Sequence, residues 1–137
     1  IVSLDLSNLF DPMIDEDGAE LMRGLQANKS LKHLNVSGNL LGKEFCWELK
    51  IALRANKSIE ILNMEANVIN DDAAYFIGEA LTQNPENAVR QIMLGWNAVE
   101  HVGFGSLMEA AGVEHSKLRV LDLRHNRISR CTSGDII

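Results

Sequence analysis

Residues 59–69 read Ile59-Glu60-Ile61-Leu62-Asn63-Met64-Glu65-Ala66-Asn67-Val68-Ile69, and the skeleton of that stretch is written four times in the chain. Reduced to its repeated positions it is Ile59-x-x-Leu62-x-Met64-x-x-Asn67-x-Ile69. It recurs as Leu31-x-x-Leu34-x-Val36-x-x-Asn39-x-Leu41, Val89-x-x-Ile92-x-Leu94-x-x-Asn97-x-Val99 and Leu118-x-x-Leu121-x-Leu123-x-x-Asn126-x-Ile128. The asparagines stand at 39, 67, 97 and 126, so the steps are 28, 30 and 29 residues. A degraded fifth copy opens the chain as Ile1-x-x-Leu4-x-Leu6, with Leu9 in the asparagine place and Asn8 one residue early. Self-similarity at this period means a stack of supersecondary units, each burying its apolar face against the next.

Within each copy, Leu34 and Val36, Leu62 and Met64, Ile92 and Leu94, and Leu121 and Leu123 alternate with other residues at a period of two, which predicts a short strand. A helix is expected from about eight residues after the asparagine. Its apolar residues recur at three and four: Phe45, Leu49, Ala52 and Leu53, then Ala73, Phe76, Ile77, Ala80 and Leu81. Asp15, Glu16 and Asp17 open one helix and Asn70, Asp71 and Asp72 another, where carboxylates suit the positive helix end. The repeated asparagine is expected to satisfy backbone groups of neighbouring turns, forming a ladder through the stack. Losing it at one end, as at Leu9, costs less than losing it in the middle.

A strand, a turn, a full helix and a return, with wording such as Ala27-Asn28-Lys29-Ser30-Leu31-Lys32-His33-Leu34-Asn35-Val36-Ser37-Gly38-Asn39, resembles the ribonuclease-inhibitor-like subfamily of leucine-rich repeats. That group includes ribonuclease inhibitor, the repeats of NOD-like receptors, the Ran GTPase-activating protein, the tropomodulin tail and axonemal repeat proteins. The resemblance covers essentially all 137 residues. It implies an α/β right-handed leucine-rich repeat solenoid, a horseshoe arc with parallel strands on the concave side and helices on the convex side. One domain over 1–137 is expected, with repeats at about 1–30, 31–58, 59–88, 89–117 and 118–137. The chain begins inside a repeat and is read as a piece of a longer protein, with apolar core at both ends that would favour self-association.

A net charge of −6 argues against nucleic acid as partner, because neutralising phosphates needs clustered Lys and Arg. The longest apolar run is a few residues, too short for a membrane span. Cys46 and Cys131 belong to no paired-cysteine spacing, which fits a reducing compartment. A cytoplasmic location is expected, extending to the cytoskeleton or cilium. The Asn-Lys-Ser phrases at 28–30 and 56–58 fall one period apart, and are read as helix ends needing left-handed backbone rather than as glycan acceptors.

No nucleophile elbow, phosphate loop or zinc spacing is present, and the four histidines are scattered, so no catalytic residue, cofactor or metal is expected. The residues that flank the inward leucines point to the concave face, and there the composition changes along the stack. The front is small and polar, while the later repeats bring Met93, Trp96, Arg124 and His125. A tryptophan and a methionine beside an arginine compose a protein-binding hot spot, and Ile61 and Glu65 extend it. Alternatively, Trp96 packs on Ala66 and His125 to shield the sheet. Trp47 and Tyr75 occupy equivalent places on adjacent helices and read mainly as packing between them. The expected function is a non-enzymatic protein-interaction module or scaffold. Two alternatives stand beside it: a regulatory repeat domain of a GTPase activator or NOD-like receptor, and a structural segment of a cytoskeletal or axonemal assembly.

Overall fold

A computed structural model describes residues 1–128. Cys131 and the end of the fifth repeat lie outside the described residues. Strands β1 (Ser3–Asp5), β2 (His33–Asn35), β3 (Ile61–Asn63), β4 (Gln91–Met93) and β5 (Val120–Asp122) alternate with helices α1 (Asp15–Leu25), α2 (Lys43–Leu53), α3 (Asp71–Gln83) and α4 (His101–Ala111). The strands form one parallel sheet in the order β1-β2-β3-β4-β5. Equivalent residues pair throughout, so Leu4, Leu34, Leu62, Ile92 and Leu121 make one row across the sheet. Parallel strands need a crossover, and each repeat's helix supplies it on the same side. Helices are wider than the strand spacing of roughly 4.8 Å, so the sheet lines the inside of the arc.

The core is a strip between sheet and helices. Leu34, Leu62 and Ile92 of the sheet, Val36, Met64 and Leu94 just beyond it, and Phe45, Leu49, Leu53, Ile77 and Leu107 of the helices are all buried. Cys46 is buried among them, and desolvation first, then the charge of Asp15, raises its thiol pKa far above the ordinary value.

The asparagine ladder is present. The Asn67 amide donates to the carbonyls of Val36 in the preceding repeat and of Met64 and Glu65 in its own, at 3.0–3.1 Å. Its oxygen accepts the Leu41 N–H at 3.0 Å. Asn39, Asn97 and Asn126 make the same kind of bridge, accepting from Met13, Ile69 and Val99. Each asparagine thus ties its turn to the repeat before it.

Two local expectations are corrected. Helices α1 and α3 begin at the expected acidic openings, Asp15 and Asp71, but the general spacing is four residues after the asparagine, as at Lys43, Asp71 and His101, and not about eight. The early start is held by caps that the spacing of apolar residues does not reveal. The Asn70 side chain accepts the Ala73 N–H of its own helix. For α2, whose N-cap is Gly42, the cap is borrowed: Asp15 accepts the N–H groups of Gly42, Glu44 and Phe45 at 2.8–2.9 Å. Asp71 likewise accepts the Glu100 N–H ahead of α4. The second correction concerns Asn28 and Asn56, which are not left-handed. Their side-chain oxygens accept the N–H groups of Ser30 and Leu31, and of Ser58 and Ile59, closing the return turn.

Candidate protein-binding surface

Every strand ends at a residue whose side chain faces the concave side. In four repeats that residue is Asp5, Asn35, Asn63 or Asp122, and its oxygen accepts the N–H two residues on at 2.9–3.1 Å. The fourth repeat breaks the row. Met93 stands there, and the residue two on is Gly95. A thioether is at best a weak acceptor, and the Met93 sulfur takes a contact from the Gln91 amide instead. In the row Ser7, Ser37, Glu65, Gly95 and Arg124, the glycine leaves a gap between a carboxylate and a guanidinium. The result is a concavity of about 250 Å³ lined by Glu65, Gly95, Trp96, Asp122, Arg124 and His125.

The residue before each ladder asparagine has left-handed backbone: Gly38, Ala66, Trp96 and His125, with Asn8 in the degraded copy. The turn imposes this φ, and Gly38 meets it without cost, lying so close to Asn8 that a Cβ would overlap it. Trp96 at φ 56 is the opposite case, since left-handed backbone costs roughly 1–2 kcal/mol for a residue with a Cβ. Its N–H donates to the Arg124 carbonyl, and its ring stacks on His125 at 4.1 Å with the planes 17° apart. Trp96 is nevertheless 62% exposed. The left-handed φ is common to the repeats, so what sets Trp96 apart from Gly38 and Ala66 is a large aromatic side chain left open to solvent at that position.

Arg124 holds its neighbour through two nitrogens. Its Nε and Nη2 donate to the Asp122 carboxylate at 3.0 and 2.8 Å. Those hydrogen bonds lower the Asp122 pKa, and reciprocally raise that of Arg124, to which Glu65 adds a smaller contribution. Among the described residues no cation lies within ion-pairing distance of Glu65.

Of the six residues expected at the site, Glu65, Trp96, Arg124 and His125 converge on this concavity. Ile61 and Met93 lie on β3 and β4 outside its lining, Met93 beside Asn63 and Ile61 beside Gln91. The alternative packing of Trp96 is half met: it stacks on His125 but stays open to solvent. On the convex side Trp47 and Tyr75 each meet Phe76, at 5.1 and 6.1 Å between centroids. Trp47 and Phe76 roof Lys50, whose Nζ lies 4.6 Å from the Trp47 ring and 3.1 Å from a Glu79 oxygen. Lys50 is 7% exposed, and a buried ammonium needs both contacts. Sequence periodicity missed this role; its signal was a lysine between the apolar residues Leu49 and Ile51. Among the described residues, no group of three or more His, Cys, Asp or Glu is placed to hold a metal ion, and no helix is long and apolar enough to cross a membrane.

The leucine-rich repeat family model matches residues 27–44 and 114–129. No curated protein matches the chain. Among solved structures, the chain is similar to one titled as actin-binding site 2 of leiomodin-1, with a TM-score of 0.72 and 21% identity over 90% of this chain and 70% of that one. It is also similar to the tropomodulin C-terminal domain of Caenorhabditis elegans, with a TM-score of 0.72 and 12% identity over 98% of this chain and 77% of that one. At these identities the likeness is one of fold.

Proposed function

We propose that this leucine-rich repeat protein is a non-enzymatic protein-binding module of the cytoskeleton that grips its partner on the concave side, at the Glu65–Trp96–Arg124–His125 concavity. The observation that carries the reading is Trp96, exposed, stacked on a histidine and kept on left-handed backbone that its own burial does not repay. Interface energy concentrates on such aromatic and arginine anchors. Actin is the first candidate partner, because one structure of the same fold is titled an actin-binding site.

Binding of the intact chain to monomeric and filamentous actin tests the candidate, and affinity capture from cytosol supplies a partner if actin fails. The site itself is tested with Trp96→Ala and Trp47→Ala. Trp96→Ala should weaken the partner by about 2 kcal/mol, close to thirtyfold. Trp47→Ala should act on stability through Lys50 rather than on binding. Normal binding by a folded Trp96→Ala would remove the concave reading in favour of the helical face.

A further inference from the structure

The chemistry of the concavity is more selective than a generic hot spot. Its two carboxylates differ. Asp122 is neutralised in place by the Nε and Nη2 of Arg124, whereas Glu65 has no cation within ion-pairing distance among the described residues. The Trp96 ring has one face on His125. Trp96 as a whole remains 62% exposed, and the equivalent residue of the third repeat, Ala66, carries only a methyl group. Gly95 places no side chain between Glu65 and Arg124, and Glu65 leans over it, its Cδ 3.8 Å from where a Gly95 Cβ would stand. An exposed aromatic ring, a carboxylate beyond ion-pairing distance of any described cation and the space left by Gly95 together suit a flat cation.

We infer that the concavity is an arginine socket, receiving a guanidinium of the partner protein against the Trp96 ring with its charge met by Glu65. A guanidinium stacks on aromatic faces and presents a planar fork to a carboxylate, which an ammonium does less well. A partner carboxylate is the competing occupant. Among the described residues that line the concavity, Arg124 is the one Arg or Lys that could host it, and two nitrogens of that side chain are already engaged by Asp122, while Glu65 would repel it. The charge of −6 on the whole chain attracts basic partners and acts in the same direction. The inference rests on the concavity being the binding surface.

The test is titration of the intact chain with acetyl-Gly-Arg-Gly-amide, read by NMR at the Trp96 indole N–H and the Gly95 amide. The lysine and glutamate tripeptides serve as comparisons. The arginine peptide should give saturable shifts at both signals on the order of millimolar. The lysine peptide should bind at least threefold more weakly, and the glutamate peptide should leave both signals unmoved. Glu65→Gln, checked to unfold at the same temperature as the parent chain, should weaken the arginine peptide at least threefold. No saturable shift, stronger shifts with the glutamate peptide, or equal affinity in Glu65→Gln overturns the socket. If these fail while Trp96→Ala still weakens the captured partner, the socket falls and the surface stands. If Trp96→Ala is also without effect, both fall.

Discussion

Asn67→Ala separates the ladder from ordinary surface chemistry, and its consequence can be worked bond by bond. The amide of Asn67 donates to the carbonyls of Val36, Met64 and Glu65, but each has another donor. Val36 O also accepts from Asn39, Met64 O from Asn97, and Glu65 O from the Gly38 N–H. These three carbonyls lose strength and are not orphaned. The Leu41 N–H is different: the Asn67 oxygen is its acceptor, and Leu41 is fully buried. An orphaned buried donor costs about 1–3 kcal/mol, and the weakened carbonyls place Asn67→Ala in the upper half of that range. At this chain length about 2 kcal/mol lowers Tm by roughly 8 °C. Glu60→Ala is the control, because half-buried Glu60 meets the exposed side chains of Lys32 at 3.8 Å and Arg90 at 3.2 Å at the surface. Pairs of that kind contribute about 0–1 kcal/mol. Thermal and urea unfolding of both variants supply the comparison. An Asn67→Ala chain no less stable than Glu60→Ala refutes the ladder.

Asp15→Ala removes the borrowed cap of α2 and should destabilise the chain by about 1–2 kcal/mol, measured by urea unfolding. Gly103→Ala places a methyl group 2.5 Å from Asp71 Oδ1, 3.0 Å from Val99 and 3.1 Å from Ala74. Overpacking there should cost about 1–3 kcal/mol, while Gly105→Ala, in open space on the same helix, should be neutral or mildly stabilising. Asp122 has a folded pKa below its ordinary 3.8, so the native state binds fewer protons than the unfolded state. Its contribution is complete above 3.8 and is lost as pH falls through the lower folded value, so Asp122→Asn should flatten the acid limb of a stability–pH curve in that range.

The repeat phrase carried nearly all of the fold because each of its letters has a single physical use. Leu62 fills the row under the sheet, Asn67 bridges two turns, and the spacing to the next asparagine is the length of one strand–helix unit. The starts of α1 and α3 were legible in their acidic openings at Asp15 and at residues 70–72, whereas those of α2 and α4 were not, since their caps belong to the preceding repeat and a pattern read along the chain does not see across it. Asn28 and Asn56 were read as left-handed for a related reason. Asparagine serves both left-handed backbone and turn-closing side chains, and the residue that is left-handed lies beside the other asparagine, where the sequence shows Gly38, Ala66, Trp96 and His125. Glu65, Trp96, Arg124 and His125 come together because the in-register strands set the turns that follow them side by side, so equivalent positions of successive repeats become neighbours. The concavity was not legible, because it arises from one departure in one repeat, Gly95 where the other repeats carry a larger residue.

The central claim is that the concave surface of the fourth and fifth repeats binds a partner protein. Amide hydrogen exchange of the intact chain, with and without that partner, tests it most directly. The account predicts that protection gained on binding concentrates at residues 93–97 and 122–126, with α2 and α3 unchanged. Protection gained on the outer faces of α2 and α3, with residues 93–97 exchanging as in the free chain, would contradict it.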